Sequence, residues 1–208
     1  MRTIKRIRQF IRHGNPDRRL NRIMGRGRAI PTHMSTGELL LLFDEACRVG
    51  GPILEVGSYL GASSVVIGEA LRRHGKPGDR LYCVDTWKND AMSEGARDTY
   101  AAFKENTAHL SDTIVPVRGN SADVQLPTEG PFGLVFVDGD HSYEATLRDI
   151  ERFAPLVRDG GVLLLHDTDR PEVLRAVAAP LAQGKWRILA IDRSLLVLLA
   201  CRDNQRTQ

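Results

Sequence analysis

The spacing of apolar residues changes several times along the chain. From Thr36 they recur three and four residues apart, at Leu39, Leu40, Leu42, Phe43 and Ala46, until Gly50 and Gly51 break the pattern. That period predicts a helix with one buried face. Short apolar runs follow at Pro52–Val56, Arg80–Val84, Thr113–Val117, Gly133–Val137 and Gly161–Leu165, almost free of charge. Runs of that length suit strands covered on both sides, as in a parallel sheet. Helical spacing returns between and after them, over Ala62–His74, Ser93–Leu110, Tyr143–Val157 and Glu172–Ala182, with "HGKPGDR" and "RDGG" as helix stops. Alternating strands and helices predict a doubly wound α/β sheet. The end of the chain breaks that rhythm. "WRILAI" and "LLVLLAC" are separated only by "DRS", too little for a helical crossover, so these two strands pair antiparallel. The expected fold is a mostly parallel seven-stranded sheet that finishes in an antiparallel hairpin.

Length and composition add bounds. A chain of 208 residues that is 42% hydrophobic has enough apolar material for one well-filled core and little for a second. Cys47, Cys83 and Cys201 lie far apart among apolar neighbours, without metal or disulfide spacing. They read as core residues of a reducing compartment. No apolar stretch approaches the roughly 20 residues of a membrane span, and the start lacks the apolar segment of a secretory leader. The expectation is a cytoplasmic protein.

Charge is unevenly placed. Residues 1–28 hold ten Lys or Arg against Asp17, a net +9, whereas the whole chain is +3. Ile4, Ile7, Phe10 and Ile11 fall at helical spacing between Lys5, Arg6, Arg8 and Arg12. This is the pattern of a basic amphipathic helix, which can lie on an anionic membrane, pack on its own domain, or pair with a second subunit as a homodimer. Nucleic acid is not expected as a partner, because only Phe10 interleaves the arginines. The chain is accordingly divided into a basic arm, 1–35, and a domain, 36–208.

Candidate chemistry begins at "ILEVGSYLGASS", Ile53 to Ser64. In a doubly wound sheet, ligands bind beyond the carboxyl ends of the strands. Gly57 and Gly61 allow a sharp turn and close approach, the first amides of the next helix offer donors, and Ser63 adds a hydroxyl. A glycine loop alone is a weak signal. Glu55 says more, because a carboxylate just before the loop repels a pyrophosphate and welcomes a cation. Asp85 ends the second strand, where an acid can accept from both ribose hydroxyls. An amino acid joined to a nucleoside through a sulfonium fits both acids.

The motifs "LEVGSYLGAS", "YCVDTW", "RGNSAD" and "FVDGDH" occur in order at successive strand ends. With them the chain resembles the class I S-adenosylmethionine-dependent methyltransferases, whose sheet also ends in a hairpin. Tyr59 at a usual glycine position resembles the metal-dependent O-methyltransferases, both the catechol type and those acting on sugars of bacterial natural products. The resemblance implies S-adenosyl-L-methionine as cofactor, held by Glu55, Gly57, Ser58, Tyr59, Gly61, Ser63, Asp85, Thr86, Trp87, Ser121, Ala122 and Asp138, with Ser121 and Ala122 near the adenine. The implied acceptor is a hydroxyl on a small molecule, glycan or natural product.

Strands four and five end in "VDGDHSYE" and "LLLHDTD", which brings Asp138, Asp140, His141, His166, Asp167 and Asp169 to one rim. A hydroxyl accepts a methyl group more readily when a base or a divalent metal draws off its proton. By resemblance, Asp138, His166 and Asp167 are the expected Mg²⁺ ligands. His141 stands where the catechol type has a general-base Lys, and imidazole, with an ordinary pKa near 6.5, can take that part. Thr168 replaces a ligating Asn of the catechol type. The alternatives are a metal-free methyltransferase with His141 or Asp140 as base, Asp140 and Ser142 merely capping the next helix, and a nicotinamide oxidoreductase. Trp87 to Met92, "WKNDAM", reads as too polar for core and as a lid or ribose cap.

Overall fold

A computed structural model describes residues 15–89 and 95–201 of the chain. The amphipathic pattern at positions 4–12 and the "DAM" end of the expected lid lie outside the described residues. The helices are α1 (Pro16–Met24), α2 (Thr36–Val49), α3 (Ala62–His74), α4 (Tyr100–Thr107), α5 (Tyr143–Phe153) and α6 (Pro171–Ala182). The strands are β1 (Ile53–Val56), β2 (Leu81–Asp85), β3 (Ile114–Arg118), β4 (Phe132–Val137), β5 (Val157–Leu165), β6 (Trp186–Asp192) and β7 (Leu195–Ala200).

The strands form one sheet in the order β3-β2-β1-β4-β5-β7-β6. The first five run parallel, and β7 lies antiparallel between β5 and β6. The hairpin read from "DRS" is therefore present, with β7 inserted beside β5. Chain order reverses between β1 and β4, so the loops leaving those neighbours diverge and open a crevice.

Alternation along the strands divides the core. Ile53, Leu134, Phe136, Leu164 and Val197 face α2 and α3, while Leu54, Val135, Val137, Leu163 and Leu198 face α5 and α6. By the same alternation Glu55 sits on the α2–α3 face, and its position is fully buried.

Two expectations change. Residues 16–34 do not stand apart from the domain, since Leu20, Ile23, Met24, Ile30 and Met34 join the same buried cluster as α2 and α3. The helix expected over Ser93–Leu110 is also shorter among the described residues. Positions 95–99 are non-helical and tied to the residues after β2: Asn89 Nδ2 donates to the Gly95 carbonyl, Arg97 N–H to Lys88 and Thr99 N–H to Trp87. Ser35 starts α2 with a capping box: its hydroxyl accepts from Glu38 N–H, and the Glu38 carboxylate accepts from Ser35 N–H.

Candidate active site

Beyond β1 the chain turns on Gly57, whose φ is +87°. A Cβ there would lie 2.0 Å from the Asp138 carbonyl oxygen, so the ends of β1 and β4 can touch only if residue 57 has no side chain. Tyr59 adopts a left-handed φ of 45° and is clamped on three sides. Its N–H donates to Asp85 Oδ2 at 2.8 Å, its carbonyl accepts from Trp87 Nε1 at 3.0 Å, and its hydroxyl accepts from Arg97 Nη2 at 3.0 Å. Asp85 also accepts from the backbone of Ser58 at 2.8 Å and Trp87 at 2.6 Å. The second-strand acid thus organises the first loop as well as facing the crevice.

Glu55 does something other than meet a cation. It is fully buried and accepts from the hydroxyls of Ser58 and Ser64. Burial pushes its carboxyl upward, and the surrounding serines oppose that shift. Its place is beneath the loop, where it fixes the turn from behind, and it lines neither cavity described below. Trp87 differs too: it is fully buried, with its ring against Tyr100 and Phe103, and belongs to the core. Its indole N–H finds a partner in Tyr59, which lets so polar-looking a segment bury its first residue. Gly61 opens α3 at φ +92° against Phe103 and Thr107, and Ala122 is exposed outside both cavities.

Two cavities meet at Gly57, Tyr59 and Asp138. One, of about 420 Å³, is lined by Asp85, Thr86, Asn89, Gly119, Asn120, Ser121, Gly139 and Asp140 together with those three. The other, of about 590 Å³, is bounded by Pro31–Met34, Ser58, Leu60, Ser63, His141, His166, Asp167 and Arg170. Of the residues expected around the cofactor, Gly57, Tyr59, Asp85, Thr86, Ser121 and Asp138 line the first cavity. Ser58 and Ser63 line the second.

The rim divides by role. His141 Nε2 lies 2.7 Å from Asp167 Oδ2. Asp138, His141 and Asp167 each offer a donor atom within 4.8 Å of the others. His166 is spent differently. Nδ1 lies 3.0 Å from Asp138 Oδ1 and 3.5 Å from Asp167 Oδ2, and Nε2 lies 3.2 Å from Ser194 Oγ. The Ser194 hydroxyl donates its one proton to Glu38 Oε1 at 2.8 Å, so toward His166 it can only accept. Both ring nitrogens therefore carry hydrogen. Burial alone would lower the His166 pKa, but bonds to Asp138 and Asp167 outweigh it and raise the pKa to about 10. Without an ion, the ring bridges β4, β5 and the β6–β7 turn. Asp167 is held well below its ordinary value, first by His141 and then by His166.

The remaining rim residues have local partners. Asp140 accepts from Ser142 N–H at 2.7 Å, Ser142 caps α5, and Asp169 is exposed outside both cavities. Thr168 donates its backbone and hydroxyl to the Ser194 carbonyl and so steadies the same serine. Reading the sequence missed Glu38 and Ser194, which lie 156 positions apart, and the Pro31–Met34 wall, which carries no motif. Gly119 and Asn120 were within reach, inside the quoted "RGNSAD".

A family model described as a methyltransferase domain matches residues 54–168, more than half of the chain. The chain is 26% identical, over 192 residues covering 77% of it and 72% of the relative, to the 8-demethyl-8-(2,3-dimethoxy-alpha-L-rhamnosyl)-tetracenomycin-C 4'-O-methyltransferase of Streptomyces olivaceus. Its fold is similar to that of the O-methyltransferase NovP, with a TM-score of 0.67, 18% identity, and coverage of 90% of this chain and 98% of that one. It is also similar to an O-methyltransferase from Bacillus cereus solved with SAH, with a TM-score of 0.65, 16% identity and 96% coverage of both chains.

Proposed function

Because the chain belongs to the methyltransferase domain family, we propose that it moves a methyl group from S-adenosylmethionine to a hydroxyl, with a sugar hydroxyl on a natural product as the leading acceptor. One observation carries this reading. A cavity suited to a nucleoside and a second cavity with a His–Asp pair meet at Asp138 and at a glycine that has no room for a side chain. The relative from Streptomyces olivaceus, named for methylation of a rhamnosyl group, supports the choice of acceptor.

The first cavity fits S-adenosylmethionine in its own terms. Beside the three amides it already accepts, Asp85 keeps one acceptor site, on Oδ1, for a ribose hydroxyl, and Asn120 and Ser121 add polar groups to the same cavity. When bound, the sulfonium nucleoside supplies an activated methyl group. The chain's part is to orient the acceptor in the second cavity and to take its proton. A neutral His141 places its hydrogen on Nε2, toward Asp167, and keeps the Nδ1 lone pair as the base. Asp167 fixes that tautomer.

A divalent metal also fits the rim. Asp138, Asp167 and His141 would hold it: the two carboxylates are hard oxygen donors that suit Mg²⁺ or Mn²⁺, and the imidazole adds one nitrogen donor. Such an ion would lower the pKa of the acceptor hydroxyl and fix its orientation. Mg²⁺ is the ion we favour.

Calorimetric titration with S-adenosylmethionine, S-adenosylhomocysteine and NAD checks the cofactor; binding of NAD alone would end the proposal. Transfer of radiolabelled methyl from S-adenosylmethionine to a panel of rhamnosides, phenols and simple polyols then checks the acceptor. Label appearing on phenols and not on glycosides would move the reading to the catechol type.

A further inference from the structure

The described part of the basic arm shows its charge on one side. On α1, Leu20, Ile23 and Met24 are buried while Arg18 and Arg22 are exposed one turn apart, and Arg26 is exposed in the short turn that follows Gly25. Arg19 pairs with Asp44, and Arg28 lies near Asp17. Among the described residues, Arg18, Arg22 and Arg26 have no carboxylate within ion-pair reach. The end of α3 abuts this helix, since Arg73 donates to the carbonyls of Arg22 and Ile23. Arg72 and Arg73 share Glu69, whose side chain is 7% exposed against 51% for Arg72. The acid faces inward and the cation outward.

We propose that this face, Arg18, Arg22, Arg26 and Arg72, docks on an anionic phospholipid surface. Three observations favour lipid as the partner. Arg18 and Arg22 project from a helix whose apolar side is already used by the core, so attachment through this face rests on charge and needs a surface of high negative density. The chain leading into Asn15 adds Arg2, Lys5, Arg6, Arg8 and Arg12 without an acid. Ile4, Ile7, Phe10 and Ile11, interleaved at helical spacing, would gain from the acyl boundary of a bilayer. Nucleic acid would reward stacking aromatics, and residues 1–29 offer one, Phe10. The consequence concerns access: Pro31–Met34, a wall of the second cavity, follows α1 within a few residues, so docking would hold that wall close to the lipid. This inference does not depend on the methyl-transfer reading.

The full chain would be sedimented with sucrose-loaded vesicles of phosphatidylcholine alone and of phosphatidylcholine mixed equally with phosphatidylserine. We expect about ten-fold stronger partitioning on the anionic vesicles, most of it lost at about 0.5 M NaCl. The variant carrying Arg18→Ser, Arg22→Ser and Arg26→Ser should lose several-fold of that partitioning while keeping wild-type melting and S-adenosylhomocysteine binding, which separates loss of docking from loss of fold. Equal partitioning on both vesicles would overturn the proposal. So would unchanged partitioning of the triple variant, or tight salt-sensitive binding to poly(U) RNA without vesicle binding, which would assign the face to nucleic acid.

Discussion

Replacing His166 by Gln removes a buried cation but keeps a side chain able to reach Asp138 and Ser194. In the folded protein the imidazole is surrounded by Asp138, Asp167 and Glu38, and its pKa stands at about 10 against an ordinary value of 6.5. A folded pKa above the unfolded one means that the proton stabilises the fold. That stability is complete below the unfolded pKa and is lost as pH rises through about 10. Linkage puts the contribution at about 4 kcal/mol at pH 7, about 2 kcal/mol at pH 8.5 and below about 1 kcal/mol at pH 9.5. The side chain is only 4% exposed, so solvent screening removes little of it. Urea unfolding, followed by tryptophan fluorescence with chelator present, gives the stability of wild type and His166→Gln at each pH. Tyrosines, lysines and cysteines titrate in both proteins and cancel in the difference. The gap between the two should close by about 2 kcal/mol from pH 7 to pH 8.5. A gap that stays constant over that interval would show the ring to be neutral when folded, and the reading of His166 as a bridging cation would fail.

Other consequences can be checked without knowing the acceptor. Gly57→Ala places a methyl group against the Asp138 carbonyl, so S-adenosylhomocysteine affinity should fall by about a hundred-fold or more; calorimetry showing wild-type affinity would contradict the contact. Trp87→Ala empties a fully buried site packed by Tyr100 and Phe103 and should cost about 3–5 kcal/mol, read as a fall of roughly ten degrees in Tm. Ser194→Ala breaks the link between Glu38 and His166 while leaving the Ser35–Glu38 capping box intact. The expected loss is about 1–3 kcal/mol, recovered in Ser194→Thr, and an equal loss in both variants would show that the hydroxyl is not what matters.

Much of the fold was legible because it rests on local patterns. Five apolar runs, their helical partners and a three-residue turn were enough to predict the sheet and its terminal hairpin. The loop after β1 was legible as a site because glycine at 57 answers a constraint that no other residue meets. Glu55 misled for a physical reason: a carboxylate at a strand end can face the ligand or support the loop from beneath, and only its contacts with Ser58 and Ser64 in the folded loop distinguish the two. Trp87 misled because its neighbours are polar, whereas its burial depends on a carbonyl 28 positions away. Glu38, Ser194 and the Pro31–Met34 wall could not be read at all, since each acquires its role only through a partner distant in sequence.

The choice between a metal and a lone base comes down to one atom, Nε2 of His141. Paired to Asp167 at 2.7 Å, it carries a hydrogen and leaves Nδ1 basic. To join Asp138 and Asp167 around an ion through that nitrogen, it would give up the hydrogen and turn from partner to ligand. The two roles exclude each other, and His166 biases the balance, because its charge beside both acids reduces the negative field that would draw an ion in. An ion held there should consequently bind weakly enough for chelator to strip it. We expect EDTA to suppress methyl transfer by an order of magnitude or more, with Mg²⁺ or Mn²⁺ restoring it, and S-adenosylhomocysteine affinity to stay unchanged throughout. Full activity in chelator, together with its loss in His141→Asn, would eliminate the ion and leave the His141–Asp167 pair as the base.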